Sequence, residues 1–382
     1  MDPVLASSQP HCERDLWRII VSHYSNTARC ILIVCFENFH GDHHNAIRQA
    51  HIGLTLYRDW LENEAKRGGK CQPGISPRPE VLEDSIVCAM SRLESFLKLA
   101  PAIREAHLNV MQEVPAQFTS PEQARYYLEV YNRYSATQQN GIRIRLTGSL
   151  CGGVLPGRLS TMVQNLAATG ALPSIEQSPR QSVEQQIFLS KWFESFQPVL
   201  EHARSPAGSA WFQSATMLLV HYTSLEFVEK HLFDFGNETW YDAHLYSMKS
   251  CISLLRQALD PTNCAMNSRT QPRKARFTFD MHYLCLVFLI SVKCRDFETR
   301  RSAIELLDTY PVREGIWDSS MVAAIAKRCM ELEEEGLSWG EFVPDAKRLR
   351  IAGCDNLFSE RKTIFKYVMP QMGMKEIEVP WS

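Results

Sequence analysis

The densest gathering of side chains able to move protons or hold a metal is FHGDHHNAIRQAH, which contains His40, Asp42, His43, His44 and His51. Imidazoles beside a carboxylate suit general acid–base work or zinc ligation. The spacing argues against both: His44 and His51 stand seven residues apart, about two helical turns. His40 and His43 straddle Gly41, so no HExxH-like pair forms on one helix face. Turn chemistry accounts for Gly41 and Asp42 without a ligand, and neither a metal site nor a cofactor is expected. If the chain is an enzyme, His40, Asp42, His43 and His44, or His282 and Tyr283, would have to converge in one concave site.

Other catalytic patterns fail on context. GLSWG, Gly336 to Gly340, matches GxSxG and offers Ser338 as a nucleophile. A hydrolase elbow needs a strand before it and a helix after it, whereas an acidic helical stretch precedes this one and EFVPD follows. GSLCGG lacks the Lys-Ser/Thr ending of a phosphate-binding loop. No CxxC occurs among the 12 cysteines, and most sit in apolar helical patterns, where a thiol acts as a small hydrophobe.

Basic residues gather at Arg295, Arg300 and Arg301 and again at Lys347, Arg348 and Arg350. Asp296, Glu298, Glu305 and Asp345 lie beside them, so solvated faces are expected rather than a phosphate-binding patch. Trp60, Trp192, Trp211 and Trp240 fall within helical apolar patterns, which fits core or groove lining better than base stacking. The 41 Lys and Arg against 43 Asp and Glu leave a net charge of -2, so direct contact with nucleic acid is not expected.

RRSAIELLDTYPVREGIWDSS combines two helical patterns with a compact turn in which Arg313, Glu314, Trp317 and Asp318 crowd together. Pro311 ends the first helix, Asp318 or Ser319 caps the second, and Trp317 would anchor the join in the core. Arg313 has Glu314, Asp318 or a helix end within reach, so the set reads as a structural corner rather than an active site.

The elements that must position these residues are helices. Thr27–Phe39 is apolar almost all round and is expected to be buried; a second helix follows Asp42, with Ile47, Ala50, Leu54, Tyr57 and Leu61 in step. Further helices are expected at Val81–Leu99, after Pro121, and at Glu184–Ala203, Ser209–Phe233, Asn237–Leu259, Asp280–Cys294, Glu298–Thr309 and Ser319–Gly336. No run alternates with period two long enough to suggest a central sheet. The expected fold is all-α, a set of packed helical hairpins. The Gly-, Ser- and Gln-rich stretch 135–183 reads as an irregular linker or insertion between an N-terminal helical half, 1–134, and a C-terminal half, 184–382. The start of the chain has no secretory signal and no apolar run is long enough to cross a bilayer, so an intracellular, soluble, membrane-free protein is expected.

RRSAIELLDTYPVREGIWDSSMVAAIAKRCMELEEEG resembles the C-terminal part of the fungal-specific transcription factor domain of zinc-binuclear-cluster regulators. ARCILIVCFENFHGDHHNAIRQAHIGLTLY, VPAQFTSPEQARYYL and FTFDMHYLCLVFLISVKCRD resemble further helices of that domain in the same order, over about residues 28–350. The resemblance implies a nuclear regulator, with the cytoplasm as the alternative location, acting in control of a metabolic gene cluster. The six-cysteine zinc cluster with which such regulators read DNA is missing: Cys12 is the only cysteine before Cys30. The implied partners are therefore proteins, either a related zinc-cluster regulator or a second copy of the chain, with a small-molecule effector also open. The competing expectation is an enzyme or small-molecule-binding protein of secondary metabolism built on the same helices. A zinc cluster encoded upstream of Met1 would leave the domain reading intact.

Overall fold

The computed structural model describes residues 26–38, 40, 42–69, 75–96, 110–111, 113–138, 179–228, 238–260, 276–278, 283–314, 317–370 and 372–381. Most of the expected 135–183 insertion lies outside them. The chain divides into two compact units, Met1–Asn109 and Val110–Ser382.

In the first unit, helix α1 (26–38) buries Thr27, Cys30, Val34 and Asn38 but leaves Leu32, Ile33 and Phe36 exposed. The expectation of a helix buried all round is thus corrected: apolar residues cover its circumference, yet only one face is packed. Helix α2 (His43–Lys66) starts at Asp42, whose carboxylate accepts from Asn45 N at 3.0 Å. It buries Ala46, Ala50, Leu54, Tyr57 and Leu61. Gly53 lets α1 and α2 meet, since a Cβ there would stand 2.7 Å from Cys30 Cβ. Helix α3 (Asp84–Phe96) joins them through Met90 and Leu93 and through an Arg58–Glu94 ion pair at 2.7 Å.

The second unit is larger. Helix α4 (Pro121–Gln138) packs on α5 (Pro179–Arg204) and α6 (Phe212–Val228). Trp192, fully buried, donates its indole N–H to Ala124 O at 2.8 Å and stacks on Phe196 and Tyr222. A 3-10 turn, Glu238–His244, leads into α7 (Leu245–Leu259). Beyond it lie α8 (Leu284–Lys293), α9 (Phe297–Thr309) and α10 (Ser319–Glu334), all three drawn into one apolar core.

The protein is mostly helical, and the all-α expectation needs one correction, because two three-stranded sheets are present. The first joins β1 (Arg276–Thr278), β2 (Val312–Glu314) and β3 (Trp317–Asp318), so the segment expected to be a plain turn is a short antiparallel pair with β1 added in parallel. The second is an antiparallel meander of β4 (Arg350–Leu357), β5 (Lys362–Met369) and β6 (Gly373–Pro380). Its signal is in KTIFKYVM, where Thr363, Phe365, Tyr367 and Met369 point to the core and the residues between them do not. Two features turn the chain between strands: Arg361 in the left-handed region at φ 49° and Gly373 at φ +71°.

Candidate functional site

Helix α10 is held at both ends by arginine–carboxylate contacts, which take in Arg313 and Asp318 at one end and Arg295, Arg300, Arg301 and Arg348 at or beside the other. At its N-terminus Asp318 is the cap. One carboxylate oxygen accepts from Ser320 N at 2.9 Å and Ser320 Oγ at 2.7 Å; the other accepts from Arg313 Nε at 3.0 Å and Nη2 at 2.7 Å. Burial would raise this carboxyl's pKa, but the Ser320 and Arg313 hydrogen bonds outweigh it and hold the group below the usual carboxylate range. Next to it, Glu314 accepts from Leu284 N at 3.0 Å, which satisfies an amide that the first turn of α8 leaves without a helical partner. Trp317 lies over Phe288 with ring centroids 5.6 Å apart, and Val312 N donates to Ser319 Oγ at 3.2 Å. Arg313, Glu314, Trp317 and Asp318 therefore come together, and each one ties a helix end or a strand.

At the other end the expected solvated faces are corrected. Arg295, Arg300 and Arg348 are 2 %, 0 % and 3 % exposed. Their partners are not the sequence neighbours but Glu333, Glu238 and Asp242, brought in by the fold. Glu333, itself fully buried, accepts from Arg295 Nη2 at 2.9 Å on Oε1 and from Arg300 Nη2 at 2.6 Å on Oε2. Its Oε1 also accepts from Leu349 N at 2.7 Å, fixing the start of the meander. Glu238 takes Lys293 at 2.5 Å and Arg295 at 3.4 Å, and Arg348 reaches Asp242 at 2.7 Å and Glu238 O at 3.1 Å. Arg301 and Glu334 pair above the cluster at 2.5 Å.

Buried ions are costly unless paired and hydrogen-bonded, and here the two buried carboxylates, Glu333 and Glu238, each serve two or more donors, while Arg295 Nε and Arg300 Nη1 have no hydrogen-bond partner among the described residues. One turn before Glu333, Cys329 is fully buried; its burial, and then the Glu333 charge, push the thiol pKa up to about 12. Chemically this is a lock: it stores no nucleophile and exposes no proton, and it joins α8, α9, α10, the Glu238 turn and the meander.

Where they are described, the residues proposed for proton or metal chemistry have other uses. Asp42 is used as the α2 cap and also accepts from Asn45 Nδ2 at 2.6 Å; His40 is exposed, its ring over Phe36 at 4.1 Å. His43 and His44 open α2, but their side chains lie outside the described residues, as does all of His282. Tyr283 is buried and donates its hydroxyl to Tyr310 O at 2.7 Å, pinning the end of α9. Ser338 lies in an exposed turn, where its amide donates to Glu341 Oε2 at 2.9 Å. Among the described residues no cluster of three His, Cys, Asp or Glu side chains is placed to hold a metal, and no helix is long and apolar enough to cross a membrane.

The Glu333 lock was not visible as a site in the sequence. Its one signal is compositional: EEE at 333–335 closes one helix, and RR at 300–301 stands near the start of another. Compared with models of known families, with curated proteins and with solved structures, the chain finds no match.

Proposed function

We propose that this protein is a regulator resembling the regulatory domain of zinc-cluster transcription factors, that it works without a zinc cluster in these residues, and that it acts by contact with another protein. Control of a metabolic gene cluster in the nucleus is the setting that the resemblance implies. The observation that carries the reading is where large apolar side chains stand: Leu32, Phe36 and Trp339 are 68 %, 59 % and 83 % exposed. Leu32 and Phe36, one turn apart on α1, place two large apolar side chains side by side in water, and contiguous apolar area of this kind marks contact surfaces. By contrast, the polar side chains of the two α10 anchors and of Tyr283 are engaged in holding helices, which suits a scaffold. The balanced charge supports protein rather than duplex DNA as the partner.

The test joins the chain to an unrelated DNA-binding module at a reporter promoter. The expected result is a change in reporter output, with no retardation of duplex DNA by the chain alone. Unchanged output together with turnover of a metabolite would sink the reading and promote the enzyme.

A further inference from the structure

We infer that the GLSWG turn presents Trp339 as the docking anchor for an arginine- or lysine-bearing segment of a protein partner. The inference rests on the protein-contact reading above and gives that contact a place and a chemistry. The turn follows the end of α10 and is bounded by two glycines in the left-handed region, Gly336 at φ +72° and Gly340 at φ +82°. It is tied internally: Glu341 N donates to Ser338 O at 3.0 Å, and Ser338 N to the Glu341 carboxylate at 2.9 Å.

Trp339 is 83 % exposed and touches two neighbours. Its ring meets Phe297 edge-on at 4.4 Å, and the Arg301 guanidinium lies 5.0 Å from its centroid. Arg301 is in turn clamped between the Phe297 ring, at 3.5 Å, and Glu334, at 2.5 Å. A water-exposed indole flanked by Phe297 and Arg301 offers a partner apolar area that is unfavourable to leave in water.

The charge around it selects the ligand. Arg301 is already neutralised by Glu334, whereas Glu335 and Glu341, on either side of Trp339 in the chain, are exposed. Lys347 Nζ is turned onto Glu335 O. Exposed carboxylates close to the indole in the chain offer a guanidinium or ammonium group an ion pair in addition to the ring face. The same carboxylates repel a phosphate backbone, which disfavours stacking of nucleic-acid bases on this ring.

The experiment uses the full chain and a fluorescein-labelled peptide of repeating Arg-Gly-Ser, followed by anisotropy. The Arg peptide is expected to bind about tenfold more tightly than its citrulline counterpart, the gain an aromatic–cation contact gives when partly desolvated. W339A and the double variant E335Q/E341Q should each lose most of that gain, while W339F keeps part of it. All three should melt with the parent, because these side chains are exposed. Equal binding of the citrulline peptide, parent-like binding by W339A, or Trp339-dependent binding of oligothymidylate instead would overturn the inference. Association with a protein partner that survives in W339A would remove this surface and leave the protein-contact reading standing. A chain that alters no reporter removes that reading, and the peptide titration still decides the surface.

Discussion

The two ends of α10 use the same chemistry in opposite settings. At the N-terminus, Arg313 meets Asp318 five residues away, with 22 % and 12 % of the two side chains exposed. At the C-terminus, Glu333 meets Arg300 and Arg295, 33 and 38 residues away, with all three side chains fully buried. The first contact closes a short loop on a strand pair that backbone pairing already favours. The second joins α9 to α10 and to the link between α8 and α9, so its ions are out of water only where those helices are packed. A local pair in partial solvent secures a helix end; a distant, dry pair ties the packing of three helices to its own integrity.

The sharpest way to break the comparison is to remove one member at each end. Glu333→Ala leaves two buried guanidinium groups and the Leu349 amide without their acceptor, and should cost about 3–5 kcal/mol, the usual penalty for halving a buried ion pair. The check is the denaturant midpoint at unchanged slope. Parent-like stability would mean that the core admits water to Arg295 and Arg300. Asp318→Ala loses a cap and a largely buried local ion pair, and should cost about 1–2 kcal/mol, mostly from the cap.

Conservative substitutions sharpen the contrast. Asp318→Asn retains a capping oxygen and should cost less than about 1 kcal/mol, since only the ion pair is lost. Glu333→Gln retains the shape but not the charge and should stay close to Glu333→Ala, because the arginines still face a neutral partner in a dry site. If Glu333→Gln proved as mild as Asp318→Asn, hydrogen bonding and not charge would be the basis of the lock.

Acid titration sharpens the reading of the N-terminal end, by a smaller amount. The folded Asp318 carboxyl has a lowered pKa, so its ionised form is favoured by folding. The stability it adds is present above the unfolded value of about 3.9 and is lost as pH falls through the lower folded value. The parent's advantage over Asp318→Asn should therefore be flat from neutral pH down to about pH 5 and shrink below about pH 4. Midpoints of urea unfolding across that range are the measurement. An advantage that grew on acidification would contradict the ion-paired cap.

How much of this was legible in the sequence follows the same division between near and far. The cap at Asp318, the break at Pro311 and the crowding around Trp317 all arise from residues within a few positions of one another. Asp42 as the α2 cap is legible for the same reason. The partners of Arg295, Arg300 and Arg348 were not: the nearest acidic residues in the chain, Asp296 and Asp345, suggested solvated faces, whereas the pairing acids are Glu333 and Asp242. Sequence neighbours stand in for spatial ones only within a helix turn or a hairpin. The meander was missed on different grounds, since alternation in KTIFKYVM is short and lysines occupy its outer face, which masks a period of two. The exposed face of α1 shows a third limit, for apolar periodicity reports what can be buried and not what is.

The smallest effect expected is a rate, and it reads the two ends through one atom. Cys329 lies on the α10 face that leads to Glu333, fully buried and with its thiol pKa pushed up to about 12, while Cys285 is exposed. Because only the thiolate is alkylated, iodoacetamide at neutral pH should mark Cys285 quickly and leave Cys329 unmodified. Glu333→Gln should speed Cys329 labelling, both by freeing the last turns of α10 to open and by removing a negative charge beside the sulfur. Asp318→Asn should leave that rate where it was, since the cap lies at the far end of the helix. Peptide mapping by mass spectrometry gives both rates in one sample, with Cys285 as the internal reference. Amide exchange separates the two causes, since opening exposes the 330–334 amides and a change in charge alone does not. Equal acceleration of Cys329 by both variants would mean that α10 opens as a single unit, and the distinction between a tuned end and a locked end would collapse.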